Sequence, residues 1–299
     1  MTGRVLALFG PTAAGKSAVA AALRDRLGAE VVSADSAALY EGLPVLTAAP
    51  AYPARLVGSV PLNRSVSVGE YQQWAHTAID EILSSARTPL VVGGTGLYFR
   101  AAISSLAIPP PPTVERRAYW QDVYDSNGPE AAHALLAERD PAAAVLVHAN
   151  DRKRVIRALE LAEAGRSLAP VESTLWTAEA RWPTLIVALE LPLDVLDTRI
   201  DERTSAMAAG GAVDEARRAW AQPLSDTARK VLGVEQFATL PVDEAIAQVA
   251  QATKRVARYQ RKWLRSLRGA VTLAGNRPAE EIADDIIALE RAGEHLSDH

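Results

Sequence analysis

The stretch GPTAAGKS, residues 10–17, decides the fold of this chain. It matches the pattern G-x-x-x-x-G-K-[ST], in which backbone N–H groups surround a phosphate and the lysine adds a positive charge. The run RVLALF (residues 4–9), typical of a buried strand, precedes it, and a helical pattern from Ser17 to Leu27 follows. This order suits anion binding at a helix N-terminus. The sequence therefore predicts a di- or triphosphate site, with Mg²⁺ on the Ser17 hydroxyl, formed by Gly10, Pro11, Thr12, Ala13, Ala14, Gly15, Lys16 and Ser17.

Two further apolar runs predict strands of the same sheet. AEVVS ends at Ala34-Asp35-Ser36, and TPLVV ends at Gly93-Gly94-Thr95-Gly96, with a helical pattern between them at residues 68–85. Alternating strands and helices favour a parallel sheet covered on both faces, whose ligands collect at the carboxyl ends of the strands. We therefore predict an α/β fold with a P-loop NTPase-like parallel sheet core, in which the loops after these three strands face one crevice.

A run of four prolines, residues 109–112, interrupts this alternation and favours a stiff, extended connection. Only helical patterns follow, until TLIVALE at residues 184–190 returns to the composition of a buried strand. We predict a core domain made of residues 1–108 and 184–299, with an inserted all-helical domain at residues 113–183. A long helix is expected from Asp243 to Arg268.

Composition limits the classes of partner. The 32 Lys and Arg residues against 36 Asp and Glu give a formal charge of −4, which offers no general attraction to nucleic acid or to an anionic membrane. Contact with nucleic acid would need a local basic face, and residues 151–157 and 253–268 are dense in Lys and Arg. The chain has no cysteine, and we see neither a signal peptide nor a spanning segment, so we expect a cytoplasmic protein without membrane contact.

The acid at the end of the second strand, Asp35, is compatible with more than one kind of chemistry. A kinase or ATPase usually carries a carboxylate at the end of an apolar strand. The third strand ends in VVGGTGLY without an acid, so Asp35 is the available strand-end carboxylate. From the residues alone, Asp35 is a metal-linked group of a small-molecule kinase, a catalytic base, or a turn former.

Six segments in register resemble the tRNA dimethylallyltransferase (tRNA isopentenyltransferase) family. They are GPTAAGKS (10–17), SADS (33–36), GGTGLYFRA (93–101), NDRKRVIRALEL (150–161), RIDERTSAMAAGGAVDEAR (199–217) and TKRVARYQRKWLR (253–265). The resemblance implies transfer of a dimethylallyl group from dimethylallyl diphosphate to the exocyclic N6 amine of the adenosine 3′-adjacent to the tRNA anticodon. It also implies that this base flips out of the anticodon stack to reach the enzyme.

The resemblance assigns roles residue by residue. It makes Asp35 the base that accepts the amine proton, Thr95 a positioning group, and Arg203 a counter-charge to the leaving diphosphate. It also implies that the helical insertion contacts tRNA. The positions that match tRNA-contacting segments of the family are Asp35, Ser36, Ala37, Ala38, Asn150, Asp151, Arg152, Lys153, Arg154, Lys230, Gly233, Thr253, Lys254, Arg258 and Gln260.

The sequence departs from the family pattern on the acceptor side. Where the family carries G-T-A-K-P and P-H-H-L-I-D, this chain has LTAAP (46–50) and PARLVG (53–58), without the lysine, both histidines and the aspartate. Val234 replaces a tyrosine, and Tyr259 stands where an arginine is expected. The acceptor is therefore tRNA or, alternatively, a free adenine nucleotide or another small amine. A P-loop small-molecule kinase is the third hypothesis, and a monomer is expected.

Overall fold

The computed structural model describes residues 4–169, 179–267 and 269–297. The first part of the chain alternates strands and helices around the phosphate loop (residues 10–17). Its elements are β1 (Val5–Phe9), α1 (Lys16–Leu27), β2 (Glu30–Ala34), β3 (Ala54–Arg55), α2 (Val68–Ser84), β4 (Pro89–Gly93) and α3 (Gly96–Ile103).

Three helices follow, and after them the chain returns to the sheet. The three are α4 (Val114–Arg139), α5 (Pro141–Leu146) and α6 (Arg152–Glu163). The remaining elements are β5 (Thr184–Glu190), α7 (Leu193–Met207), a π-helical turn (Ala208–Ala212), α8 (Val213–Trp220), a 3₁₀ turn (Ala228–Lys230), α9 (Val234–Thr239), α10 (Val242–Leu264), β6 (Val271–Ala274) and α11 (Ala279–Ser297).

The six described strands form one sheet in the order β3-β2-β4-β1-β5-β6, and every pair is parallel. Strand β1 is fully buried because helices cover both faces of the sheet, which explains its unbroken apolar sequence. Leu6 and Leu8 pack in one cluster with Val19 and Leu23 of α1 and with Ile286 of α11. The predicted α/β class with a parallel P-loop core is confirmed. The two short edge strands, β3 and β6, had no clear sequence signal.

The chain divides into two compact units. Unit 1 comprises Met1–Leu106 and Ala178–His299, and unit 2 comprises Ala107–Thr177. In unit 2, the side chain of Thr113 accepts a hydrogen bond from Arg116 N at the start of α4, as an N-cap residue does. Gly128, with φ of 83°, bends α4 just before Pro129. In unit 2 the sequence patterns predict helices, and the elements that the structure describes there are the helices α4, α5 and α6.

Local sequence also explains the helix boundaries in unit 1. Ser67 and Glu70 form a reciprocal capping box at the start of α2, which fixes its first turn. Helix α10 ends at Leu264, shorter than the predicted helix to Arg268. No helix among the described residues is both long and apolar enough to cross a membrane.

Candidate active site

The register of the sheet brings three loops to one edge. Phe9 lies opposite Gly93 on one side and Ala188 on the other, and Ala34 lies opposite Gly93. The strands β1, β2 and β4 therefore end at the same level. The residues that follow them are the phosphate loop, Asp35 and the glycine-rich loop Gly93–Gly96, so the predicted crevice is present.

The phosphate loop joins β1 to α1 as its sequence requires. Gly15, the N-cap of α1, has φ of 90°, a left-handed conformation that glycine adopts without strain. The Lys16 ammonium donates hydrogen bonds to the carbonyl oxygens of Gly10 (2.9 Å) and Pro11 (2.8 Å) and so lies across the loop. The helix N-terminus and this ammonium together give the loop its positive character.

Three charged side chains act on one another at this edge. Burial lowers the pKa of Lys16 to about 8, Asp35 opposes that shift, and Arg203 adds to it. Burial likewise lowers the pKa of Arg203, and Asp35 again opposes the shift. The cost of desolvating two neighbouring cations is large, and in proteins such cations are usually compensated by an anion.

Arg203 reaches the phosphate loop from α7. Its guanidinium donates a 2.6 Å hydrogen bond to Thr12 Oγ1. Its Nε atom is buried and has no hydrogen-bond partner among the described residues. A buried N–H without an acceptor costs about 1–3 kcal/mol, so the site lacks an acceptor at this position.

Asp35 lies beside the phosphate loop. Its Oδ1 accepts a 2.9 Å hydrogen bond from Ala37 N, an Asx turn, so the turn-forming interpretation is correct for one oxygen. The carboxylate also lines a pocket together with Lys16, Ser17, Thr47 and Ala48. The Asp35 side chain therefore both forms a turn and lines the pocket.

Thr95 occupies the N-cap of α3 without forming the usual cap. No hydrogen bond joins its side chain to the first turn of the helix. A threonine at this position ordinarily accepts from the N–H two or three residues later. The helix therefore does not use the Thr95 hydroxyl. Thr95 lies within the loop Gly93–Gly96, whose first residue is opposite Ala34, the residue before Asp35.

The glycines of the Gly93–Gly96 loop are required by packing against protein atoms. A Cβ on Gly93 would lie 2.3 Å from Ala34 O, and one on Gly94 would lie 2.7 Å from both Gly10 O and Gln260 Nε2. A Cβ on Gly96 would lie 2.0 Å from the ring of Trp263. Helix α10 therefore covers this loop, which no local pattern in the sequence indicates.

Helix α10 also holds the phosphate loop. Gln260 is only 7% exposed, and its Oε1 accepts a 2.8 Å hydrogen bond from Thr12 N. Thr253 is equally buried and bonds Val249 O within its own helix. The prediction that Thr253 and Gln260 contact tRNA is therefore not supported by their positions, because a buried side chain presents no surface to RNA.

The other predicted RNA contacts of unit 1 differ in their surroundings. Lys230 is exposed. Gly233 starts α9 with φ of 96°, and a Cβ there would lie 2.7 Å from Leu46. Lys254 pairs with Asp201 and Arg258 with Asp197, both aspartates being on α7.

The predicted RNA contacts of unit 2 lie around the start of α6. Asp151 caps the helix by accepting from Arg154 N, and Asn150, Lys153 and Arg154 are exposed. Arg152 pairs with Asp125 across 2.7 Å.

Arg157, three residues beyond Arg154, is not part of an open basic face. It donates to Glu160 and to the carbonyl oxygens of Pro109 and Pro110.

Two side chains that support the crevice escaped the sequence reasoning. Glu215, only 4% exposed, accepts from Val45 N and Leu46 N at 2.9 Å each and so holds the segment that leads to Thr47. Tyr98 lies close to Asp35: burial raises its pKa to about 12, with Tyr40 and Asp35 adding to the shift. Both residues lie inside the family-like segments 93–101 and 199–217, but no local pattern gives their roles, because their partners lie far away in sequence.

The parallel sheet, the phosphate loop after β1 and the acid after β2 define a P-loop α/β protein. A family model described as IPP transferase matches residues 38–267. The chain belongs to this family.

Relatives and solved structures agree with that assignment. A tRNA dimethylallyltransferase from Anaeromyxobacter sp. (strain K) is 38% identical over 95% of this chain and 97% of its own length. One from Streptomyces coelicolor is 39% identical over 88% of this chain and 87% of its own. A tRNA isopentenylpyrophosphate transferase from Bacillus halodurans, 27% identical, superposes with a TM-score of 0.70 over 99% of each chain. A eukaryotic dimethylallyltransferase acting on tRNA shares the fold, with a TM-score of 0.78 at 20% identity, over 99% of this chain and 80% of that one.

Proposed function

We propose that this protein transfers the dimethylallyl group of dimethylallyl diphosphate to the N6 amine of the adenosine 3′-adjacent to a tRNA anticodon. The curated relatives that match nearly its whole length are named for tRNA dimethylallyl transfer. The observation that carries the proposal is the buried, unpartnered Nε of Arg203 beside the phosphate loop. A diphosphate in that loop would supply the missing acceptor and would compensate the charges of Arg203 and Lys16.

The reaction needs a group that stabilises the leaving diphosphate. The N6 amine attacks the first carbon of the prenyl group, the bond from that carbon to oxygen breaks, and the diphosphate leaves with the electron pair. Lys16 lies in the loop that would hold this anion and Arg203 contacts that loop from α7, so both would neutralise charge as it develops. Positive charge placed in advance is effective because it needs no reorganisation during the reaction.

Asp35 is the proposed acceptor of the proton that N6 loses. An adenine amine is a weak nucleophile, and removing its proton as the new bond forms raises its reactivity. Asp35 lies in the pocket that contains Lys16, and the loop that carries Thr95 begins at Gly93, opposite the residue before Asp35. We assign Thr95 a positioning role, since its hydroxyl does not cap α3.

The donor side also fits a magnesium ion. Ser17, exposed at the start of α1, lines the same pocket as Lys16 and would hold the ion through its hydroxyl, since Mg²⁺ bound with a diphosphate typically takes one or two side chains and water for the rest. Among the described residues no cluster of three acidic or histidine side chains forms a separate metal site. Bound there, Mg²⁺ would supply charge neutralisation for the departing diphosphate. We propose that the protein acts in the cytoplasm. We also propose that it acts as a monomer, because one chain carries all the groups named here.

The test is incubation with dimethylallyl diphosphate labelled in the prenyl group, with unmodified tRNA and, separately, with AMP. We expect Mg²⁺-dependent label in tRNA and none in AMP. Label in AMP but not in tRNA would overturn the acceptor assignment. ATP turnover at the rate of a kinase, without prenyl transfer to either acceptor, would overturn the proposal in favour of a small-molecule kinase.

A further inference from the structure

The chain passes twice between its two compact units, and the structure describes the first of these connections. Unit 1 ends at Leu106 and resumes at Ala178. The second passage, at residues 177–178, lies outside the described residues. The first connection, residues 107–113, contains the four prolines and leads into helix α4. Its two ends are held by side chains, one in each unit.

In unit 1, Gln72 of α2 holds the last residue before the first connection. Its amide donates a 3.1 Å hydrogen bond to Leu106 O, and its Oε1 accepts one of 3.2 Å from Leu106 N. The side chain thereby bonds both backbone groups of Leu106, as a neighbouring strand would. Leu106 itself is only 7% exposed. The backbone is therefore fixed within unit 1 up to the point where the first connection begins.

In unit 2, Arg157 of α6 holds the other end. Its guanidinium donates to Pro109 O at 3.1 Å and to Pro110 O at 2.9 Å. The same guanidinium pairs at 3.1 Å with Glu160, whose buried carboxylate also pairs with Arg117. A buried carboxylate between two arginines fixes the direction of each guanidinium, so the proline carbonyls meet an oriented donor. The backbone is therefore fixed within unit 2 from Pro109 onward.

Between these two ends, Ala107 is the residue with the fewest limits on its backbone rotation. Ile108 precedes a proline, which restricts it to extended conformations. The φ of each proline at 109–112 is fixed by its ring. Ala107 is exposed, and its backbone makes no hydrogen bond with any residue that the structure describes. Turning of the first connection is therefore concentrated at one residue.

We propose that Gln72 and Arg157 are positioning residues for the acceptor, because they hold both ends of the first connection and confine its turning to Ala107. This inference rests on the proposed tRNA substrate, which has to contact the inserted unit while one of its bases lies at Asp35. A freely turning connection would have to be ordered each time tRNA binds, and that ordering costs free energy. A connection fixed in advance removes much of this cost. The two residues therefore act on productive binding of tRNA, and donor binding and the chemical step do not depend on them.

The first test measures prenyl transfer from dimethylallyl diphosphate to unmodified tRNA by the full chain. Q72A and R157Q should each lower kcat/KM for tRNA about 5- to 30-fold, with donor affinity and the single-turnover rate at saturating tRNA close to the wild type. R157Q should leave the slope of log affinity against log salt unchanged, since a positioning residue contacts no phosphate. The matched control is Q73A, because Gln73 is the next residue on α2 and is exposed.

A second variant keeps both holding contacts in place. Two glycines inserted between Ala107 and Ile108 lengthen only the part of the connection that turns, and short insertions in surface segments cost little in folding free energy. This variant should lower kcat/KM for tRNA as Q72A does. Thermal unfolding of each variant separates a loosened connection from damage to either unit.

A third measurement does not depend on transfer. The chain has no cysteine, so A134C on α4 and A247C on α10, both at exposed positions, accept one spin label in each unit. The distribution of distances between the two labels should broaden in Q72A, in R157Q and in the insertion variant. In Q73A it should stay as in the wild type.

The outcomes separate this inference from the proposed function. Unchanged kcat/KM for tRNA in Q72A and in the insertion variant, or unchanged distance distributions, would overturn the inference and leave the proposed function standing. A salt slope lowered by about 1 in R157Q would also overturn it, since Arg157 would then contact a phosphate itself. Absence of prenyl transfer to tRNA by the wild type would contradict the proposed function, and with it the positioning role.

Discussion

At the scale of single residues, Lys16, Asp35 and Arg203 form one electrostatic unit. Each cation has a pKa lowered by burial, and Asp35 partly compensates both. The arrangement leaves two cations facing one carboxylate, with a positive excess where a diphosphate would bind. This explains how a chain of charge −4 attracts an anionic donor locally.

Lys16 gives the donor site a dependence on pH. With its pKa lowered to about 8, the side chain is charged below that pH and neutral above it. Affinity for dimethylallyl diphosphate should therefore be full below about pH 8 and should fall as the pH rises through it. Calorimetric titration of the donor across this range measures the effect. K16M should lose at least 2 orders of magnitude in transfer rate, roughly 3 kcal/mol, and its donor affinity should vary much less between pH 7 and about 9. A wild-type profile as flat as that of K16M would contradict this role.

A substitution of Asp35 should lower the rate of the chemical step without changing donor affinity. D35N keeps the size of the side chain and an oxygen for the Ala37 N–H, but it cannot accept a proton. We expect donor affinity close to the wild type and a single-turnover rate lowered about 10²–10⁴-fold. A large loss of donor affinity with little change in rate would make Asp35 a metal-linked group or only a turn former.

At the scale of elements, helix α10 packs on both loops of the crevice. Gln260 accepts from Thr12 N in the phosphate loop, and Trp263 covers Gly96 in the glycine-rich loop. The donor loop and the acceptor-side loop are thus held by one rigid element. Such support from a helix favours precise geometry at the reacting atoms.

A substitution at Gly94 tests whether α10 must pack closely on these two loops. In G94A the new Cβ would lie 2.7 Å from Gly10 O and from Gln260 Nε2, so the phosphate loop or α10 must move. We expect a loss of about 1–3 kcal/mol in the free energy of unfolding and at least a tenfold lower kcat/KM, roughly 1.4 kcal/mol. The control is G210A, since a Cβ on Gly210 meets nothing within 4 Å. Equal effects of the two substitutions on transfer would contradict the packing argument.

How much the sequence predicts also depends on the element. The phosphate loop, the parallel core and the helical character of unit 2 follow from local patterns, namely GPTAAGKS, apolar runs and capping residues. The contacts of Gln260 and Glu215 do not, because they join residues 248 and more than 160 positions apart. Local pattern also could not separate paired from open cations, since Arg157 and Arg154 lie in the same basic segment.

At the scale of the whole molecule, ion pairing separates the cations of this acidic chain into compensated and uncompensated side chains. Arg154, exposed at the start of α6, makes no ion pair with a described residue, whereas Arg157 in the same segment is bonded to Glu160 and the proline connection. Exposed cations without a carboxylate partner, such as Arg154, are therefore the ones more available to RNA phosphates.

We predict that Arg154 contacts a phosphate of the tRNA. R154Q should weaken tRNA binding and lower the salt slope by about 1, as expected for one lost phosphate contact. Filter binding at several salt concentrations measures both quantities. The comparison variant is R217Q, another exposed arginine, on α8, which should leave the slope unchanged. Equal slopes for R154Q and the wild type would remove Arg154 from the RNA surface.

The most direct test of the central claim follows both ends of the donor in one reaction. Dimethylallyl diphosphate carries a carbon label in the prenyl group and a phosphorus label in the diphosphate, and it is mixed with excess enzyme and unmodified tRNA. We expect the carbon label on N6 of the adenosine 3′-adjacent to the anticodon and an equal amount of phosphorus label released as inorganic diphosphate. Phosphorus label on the acceptor, or diphosphate release without carbon label in tRNA, would contradict it.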